Sequence, residues 1–126
     1  MKRVWIGGAL MAVLLTAGLL AGWAMERGLC PGAEKLRKAG ELAAADRWEA
    51  AEELLDDVEE IWEDRRWLAT ALYDHEVMDE IDAALAQLET YCDARDTLAF
   101  RALCRSLARN MEAAGKAHNG SMENFF

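Results

Sequence analysis

Proline occurs once in the chain, at Pro31, and beyond residue 32 only three glycines follow, Gly40, Gly115 and Gly120. So few chain breakers exclude a loop-rich or many-turned β architecture. Abundant Ala, Leu and Glu then make long helices the default, and the fold expected is all-α. The three cysteines, Cys30, Cys92 and Cys104, match no CxxC or zinc spacing. A bend centred near Arg95 would put Cys104 about two helical turns further from it than Cys92. That exceeds disulfide reach, so both read as small apolar core residues. Positive charge is also scarce. All 23 acidic residues lie at or after Glu26, whereas two of the 14 basic ones, Lys2 and Arg3, precede it. Such a surface is poor for nucleic acid, whose phosphates need Lys and Arg. A nucleophile–base pair, a phosphate loop and a complete metal motif are all lacking, so neither an enzyme nor a cofactor is expected.

What the chain does have is an uncharged apolar run from Val4 to Met25. As a helix its 22 residues would reach about 33 Å, enough for a hydrocarbon core of about 30 Å. Trp5 and Trp23 stand near its two ends, where indole rings favour the headgroup region. Lys2 and Arg3 hold the short N-terminus in the cytoplasm, so the rest is expected outside, as a single-pass protein of the cytoplasmic membrane. A cleaved signal peptide is the competing reading, with Gly22 and Ala24 as small residues before a cut. The run is longer than the usual h-region of roughly 7–15 residues. Leu29 occupies the position where a lipobox before Cys30 needs a small residue. Gly18 and Gly22 form a GxxxG spacing through which two anchors would approach as a homodimer, although glycine is common in membrane helices.

The expected organisation is an anchor over 1–27, a linker over 28–32, a helical bundle over 33–120 and a tail over 121–126. Pro31 and Gly32 break the chain, and residues 33–45 make a short helix that Gly40 weakens and Asp46 ends with a tight bend. In RWEAAEELLDDVEEIWEDRRW, Trp48, Ala51, Leu54, Leu55, Val58, Ile61 and Trp62 share one apolar sector. Acids such as Glu49, Glu53, Asp56 and Glu60 fill the opposite face, which is either a partner surface or simply a solvated one. A third helix runs from about His75 to Tyr91 on Val77, Ile81, Ala84, Leu85 and Leu88. After a CDARD bend, a fourth runs from about Thr97 to Ala117 on Phe100, Leu103, Cys104, Leu107 and Met111, and Asn119 and Gly120 stop it. Phe125 and Phe126 end the chain, tucked back onto the bundle or frayed. These are two antiparallel helical hairpins. ADRWEAAEELL resembles half of a tetratricopeptide unit, but no second copy follows, so the likeness is one of shape only. Arg101, Arg105 and Arg109 form a basic stripe that either meets a partner or pairs with acids of neighbouring helices.

The stretch ALYDHEVMDEID, residues 71–82, gathers one histidine and five carboxylates. His75, Asp79 and Asp82 share a helix face at spacings a divalent transition ion could use. Asp79 stands where HExxH needs its second histidine, so a zinc-protease ligand is missing. Catalysis would need buried, pKa-shifted carboxylates, whereas this face points away from the Val77–Ile81–Leu88 sector. A structural role accounts for more residues. Asp74 becomes the N-cap, worth about 1 kcal/mol against alanine, and Tyr73 and Met78 a hydrophobic staple.

DRWEAAEELLDDVEEIW, WLATALYDHEVMDEIDAALAQLETY and the closing SMENFF together resemble a bacterial family catalogued as domain of unknown function four-three-six-three. The similarity spans nearly the whole chain and departs at Arg66, where the family pattern carries a proline before WLA. The resemblance implies a small, membrane-anchored, all-helical protein with no assigned catalytic residues, and it suits an accessory subunit of a membrane protein partner. The function expected is therefore a non-enzymatic interaction module at the outer face of the membrane. The alternative is a metal- or small-ligand sensor using His75 and its neighbouring carboxylates.

Overall fold

The computed structural model describes the backbone of residues 2–123 and the side chains of residues 2–114. Five helices follow one another: α1 (Lys2–Ala44), α2 (Trp48–Asp64), α3 (Arg66–Leu72), α4 (His75–Ala94) and α5 (Thr97–Glu123). Among the described residues there is no strand, as the shortage of glycine and proline requires.

The expected break at Pro31 and Gly32 does not occur, because α1 runs through both without interruption. The linker expected over 28–32 and the short helix expected over 33–45 are parts of one 43-residue helix that begins in the apolar run. Packing explains the continuity. Met25, Leu29, Ala33, Leu36, Ala39 and Ala43 are buried at spacings of three and four residues, a stripe along one face. Proline inside a helix costs about 3 kcal/mol or more. Burying each large apolar side chain returns roughly 1.5–3 kcal/mol, so Leu29 and Leu36 together offset it. Pro31 is itself exposed, so its ring meets no packed neighbour.

Four helices close into a ring. The second half of α1 lies against α5 and α2, α4 lies against α5, and α2 touches α4 more lightly, with short α3 bridging α2 to α4. The two antiparallel hairpins are present, but in a closed bundle rather than the open stack of tetratricopeptide arrays. Both upper bends use a left-handed residue without glycine, Asp46 (φ 62°) and Arg95 (φ 53°). After α1, Arg47 N–H donates to Leu42 O (2.8 Å) and Asp46 N–H to Ala43 O (3.0 Å). After α4, Asp96 N–H donates to Tyr91 O (3.0 Å) and Arg95 N–H to Cys92 O (3.1 Å). This paired bonding satisfies the last carbonyls of each helix and reverses the chain. Asp96 then caps α5 through its side chain, accepting from Ala99 N–H at 3.3 Å.

The expected core is largely in place. Trp48, Leu55, Val58, Trp62, Ile81, Leu88 and Leu107 are buried, while Val77 and Leu103 are half-buried against them. Trp48 meets Phe100 edge to face at 5.3 Å between ring centres. Gly40 proves to be a contact point rather than a weakness. A Cβ there would lie 3.4 Å from the Cβ of Cys104, so hydrogen lets α5 approach closely. The stop expected at Asn119 and Gly120 is absent, α5 continuing to Glu123; Phe125 and Phe126 lie outside the described residues.

At the other end, α1 leaves the bundle. Gly22 and Met25 are buried and Ala21 and Ala24 pack on the core, so the apolar run ends inside the bundle rather than before it. From there toward the N-terminus the helix is uncovered, and a window of mean hydropathy 2.1 has none of its residues buried. By length and composition α1 can cross a membrane. Of the Gly18–Gly22 pair, Gly22 is buried by the chain's own bundle, whereas Gly18 is half-buried and a Cβ there would meet nothing within 4 Å.

Candidate functional site

The structure separates the chemistry-bearing residues into three places. The acid-rich stretch around His75 begins α4 as expected, with Asp74 at the N-cap position in extended conformation (φ −68°, ψ 152°). Its carboxylate, however, makes no capping hydrogen bond, which removes the main source of the expected stabilisation. The staple is also rearranged. Met78 is buried, with Thr70 Oγ1 at 3.7 Å from its sulfur, whereas the Tyr73 hydroxyl donates to Ala114 O on α5 at 2.8 Å. Burial pushes the Tyr73 phenol above its ordinary range. Tyr73 thus ties the α3–α4 junction to α5.

His75 and Asp79 are exposed, while Asp82 is half-buried and already engaged. Trp62 Nε1–H donates to Asp82 Oδ1 at 2.8 Å. The Arg66 guanidinium spans the same carboxylate, with Nη2 at 2.5 Å and Nη1 at 3.1 Å, and also reaches Glu63 at 3.0 Å. Burial pushes the Asp82 carboxyl up, but the hydrogen bonds from Arg66 and Trp62 outweigh it and hold the group below its usual range. The bonds from Asp82 and Glu63 raise the Arg66 pKa in turn. Asp82 therefore locks the end of α2 and the start of α3 to α4, and is committed away from His75. No group of three or more metal-capable side chains gathers among the described residues.

The second place is the seam where α2 and α4 touch lightly. A surface groove of about 250 Å³ is lined by Glu59, Trp62, Asp82, Leu85 and Glu89, and a neighbouring one of about 160 Å³ by Glu52, Asp56, Glu89 and Cys92. Desolvation, a hydrogen bond to Glu89 and the negative charges of Glu89 and Asp56 push Glu59 up to about 7. The proton that Glu59 retains lets two carboxyl groups meet across the seam. Its folded pKa lies above the unfolded value of 4.5. The associated stability is therefore full below about pH 4.5 and is lost as pH rises through about 7. Much of the group faces water, which screens the shift, so about 1 kcal/mol is expected. On warming, the bundle should melt a few degrees higher at pH 5 than at pH 8. Glu59→Gln should flatten that dependence; an unaltered difference in the variant would exclude Glu59 as its source.

The third place is the arginine stripe. Arg101 and Arg105 both bind Glu41 Oε1, at 3.0 and 3.2 Å. The hydrogen bond and charge of Arg101, helped by Arg105, hold Glu41 below the ordinary carboxylate range. The stripe thus mainly joins α5 to α1, beside the bidentate Arg37–Glu112 pair (2.6 and 2.9 Å). Arg109 is exposed and in no ion pair among the described residues. Cys92 and Cys104 are free and buried; burial raises both thiols, Cys104 to about 12. A cavity between α4 and α5, lined by Val77, Ile81, Leu103 and Leu107, measures only about 60 Å³. That is far below the several hundred Å³ typical of ligand pockets.

Sequence reasoning missed Arg66, Glu59, Glu89 and Glu41. Arg66 carried a signal, as one of two adjacent arginines following a run of acids. The three glutamates are indistinguishable by type from their solvated neighbours, and only the crossing of helices selects them.

A family model described as "Domain of unknown function (DUF4363)" matches residues 33–125. No curated protein and no solved structure matches the chain.

Proposed function

The chain belongs to the DUF4363 family, and on that premise we propose that it is a non-enzymatic accessory module held at the outer face of the cytoplasmic membrane by a single span. One observation carries the reading: a single uninterrupted helix is bare and apolar in its first half and is the bundle's central stripe in its second. A flexible tether would let the bundle roam. A continuous α-helix instead holds it at a set height and orientation above the bilayer, which suits docking against a membrane protein partner. Lys2 and Arg3 ahead of the span favour an outer bundle.

The surface left for that partner is acidic. Glu49, Glu53, Asp56 and Glu60 on α2 are exposed, whereas two arginines of the α5 stripe are already paired with Glu41. A partner with a basic, membrane-proximal face fits this charge.

Two measurements test the proposal. A reporter fused after residue 126 should be active only outside the cytoplasm. Crosslinking in intact cells should capture a defined membrane protein, and replacing Glu49, Glu53, Asp56 and Glu60 by lysine should cut its yield several-fold. A cytoplasmic C-terminus, or capture indifferent to the charge reversal, would sink the corresponding half of the reading.

A further inference from the structure

We propose that the base of the bundle is itself seated in the lipid headgroup layer through Trp67, a second interfacial contact beside the span; this rests on the membrane-anchored reading above. Trp67 lies in the first turn of the short helix α3 and is 74 % exposed, far more than the core tryptophans Trp48 and Trp62. A lone exposed aromatic would mean little, but its height is set by its neighbours. Two residues earlier, the Arg65 Nε–H donates to Ala24 O of α1 at 3.3 Å. The Arg65 side chain also fills the space beside Gly28 that any Cβ would need. The junction of α2 and α3, two residues before Trp67, is thereby held against residues 24–28 of α1, where the bare apolar helix meets the bundle.

At that same level Trp23 is 53 % exposed, and the Arg27 guanidinium lies 4.7 Å from its ring centre. Counting back from Ala21, the bare helix offers about 18–20 residues, or about 27–30 Å, close to one hydrocarbon thickness. Its end, and with it Trp23 and Trp67, then falls in the headgroup layer, where indole rings partition favourably. Two tryptophans on separate helices at one height would fix the tilt of the bundle as well as its depth. Charge is not the driving term. Glu26, Glu63 and Asp64 share this end with Arg27, Arg65 and Arg66, and Arg66 is spent on Glu63 and Asp82. The contact is accordingly expected in neutral lipid.

The test uses the full chain in phosphatidylcholine vesicles, with and without bromine on the acyl carbons nearest the headgroup. Trp67 emission is isolated by subtracting Trp67→Phe, and anchor emission by subtracting Trp5→Phe and Trp23→Phe. A Trp67→Tyr variant provides a second subtraction, and far-ultraviolet circular dichroism checks that each variant is folded. Bromolipid should quench Trp67 about two-fold or more, and aqueous acrylamide should quench it several-fold less than free tryptophan. If the anchor tryptophans are quenched by bromolipid while Trp67 answers only to acrylamide, the seat is overturned and the anchor stands. If neither is quenched by bromolipid, the anchored reading fails as well. Shielding of Trp67 from both quenchers would mean that protein covers it, which overturns the seat. So would quenching that appears only after anionic lipid is added.

Discussion

A fragment beginning at Ala33, where the family match starts, should fail to give a cooperative unfolding transition, whereas one beginning at Gly22 should keep it. The reason lies in α1. Met25 and Leu29 are fully buried beneath the bundle and precede the matched region, as does Gly28, against which Arg65 packs. Large-to-small replacement of one buried Leu or Met costs about 2–5 kcal/mol. Removing both residues, and the helical turns that carry them, costs at least twice that. Small domains are stable by only about 5–15 kcal/mol in total. The shorter fragment should therefore show a broad, weakly cooperative melt. Circular dichroism on warming distinguishes the two fragments. A sharp transition in the Ala33 fragment would show that the part of α1 before Ala33 is dispensable to the bundle.

Replacing Trp62 by alanine should be the most damaging single substitution, at roughly 3–5 kcal/mol. Trp62 is 1 % exposed and the largest of the fully buried side chains. Its loss leaves a cavity where α2 meets α4 and removes the indole donor that helps hold the Asp82 carboxylate. The light contact between those helices leaves few other groups to close the gap. Trp62→Phe separates the two effects. It retains most of the packing but no donor, and Arg66 still holds Asp82, so a loss of about 1–2 kcal/mol is expected. Chemical denaturation of both variants, with Trp67→Phe as an exposed control that changes little, would decide the matter. Equal losses for Phe and Ala would place the whole effect in the hydrogen bond and contradict the packing argument.

Much of the architecture was legible beforehand because it depends on local periodicity. The start of α4 at His75, the bends at Asp46 and Arg95 and the apolar sectors of α2, α4 and α5 follow from spacing at 3.6 residues per turn. Pro31 was misread for an equally physical reason. Local propensity marks proline as a break, but the apolar stripe from Met25 to Ala43 continues past it on the other face, and tertiary burial outweighs the local penalty. Asp74 was misread in the opposite sense. Its position at the helix start was correct, but the bond expected of it is made at Asp96, where the tight bend brings a carboxylate back over the first turn of α5.

By itself, then, the sequence determined the helical class, the apolar run able to span a membrane and the acidic face, because composition and short-range periodicity carry all three; the family follows instead from the match of residues 33–125. The tertiary structure alone decided which carboxylates are special. Glu41 beneath two arginines, Asp82 between Trp62 and Arg66, and Glu59 against Glu89 differ from their solvated neighbours only in what another helix places within hydrogen-bonding reach. It also decided that the apolar run and the first bundle helix are one rod, because the side chains that carry α1 through Pro31 are buried by residues far along the chain, on α2 and α5.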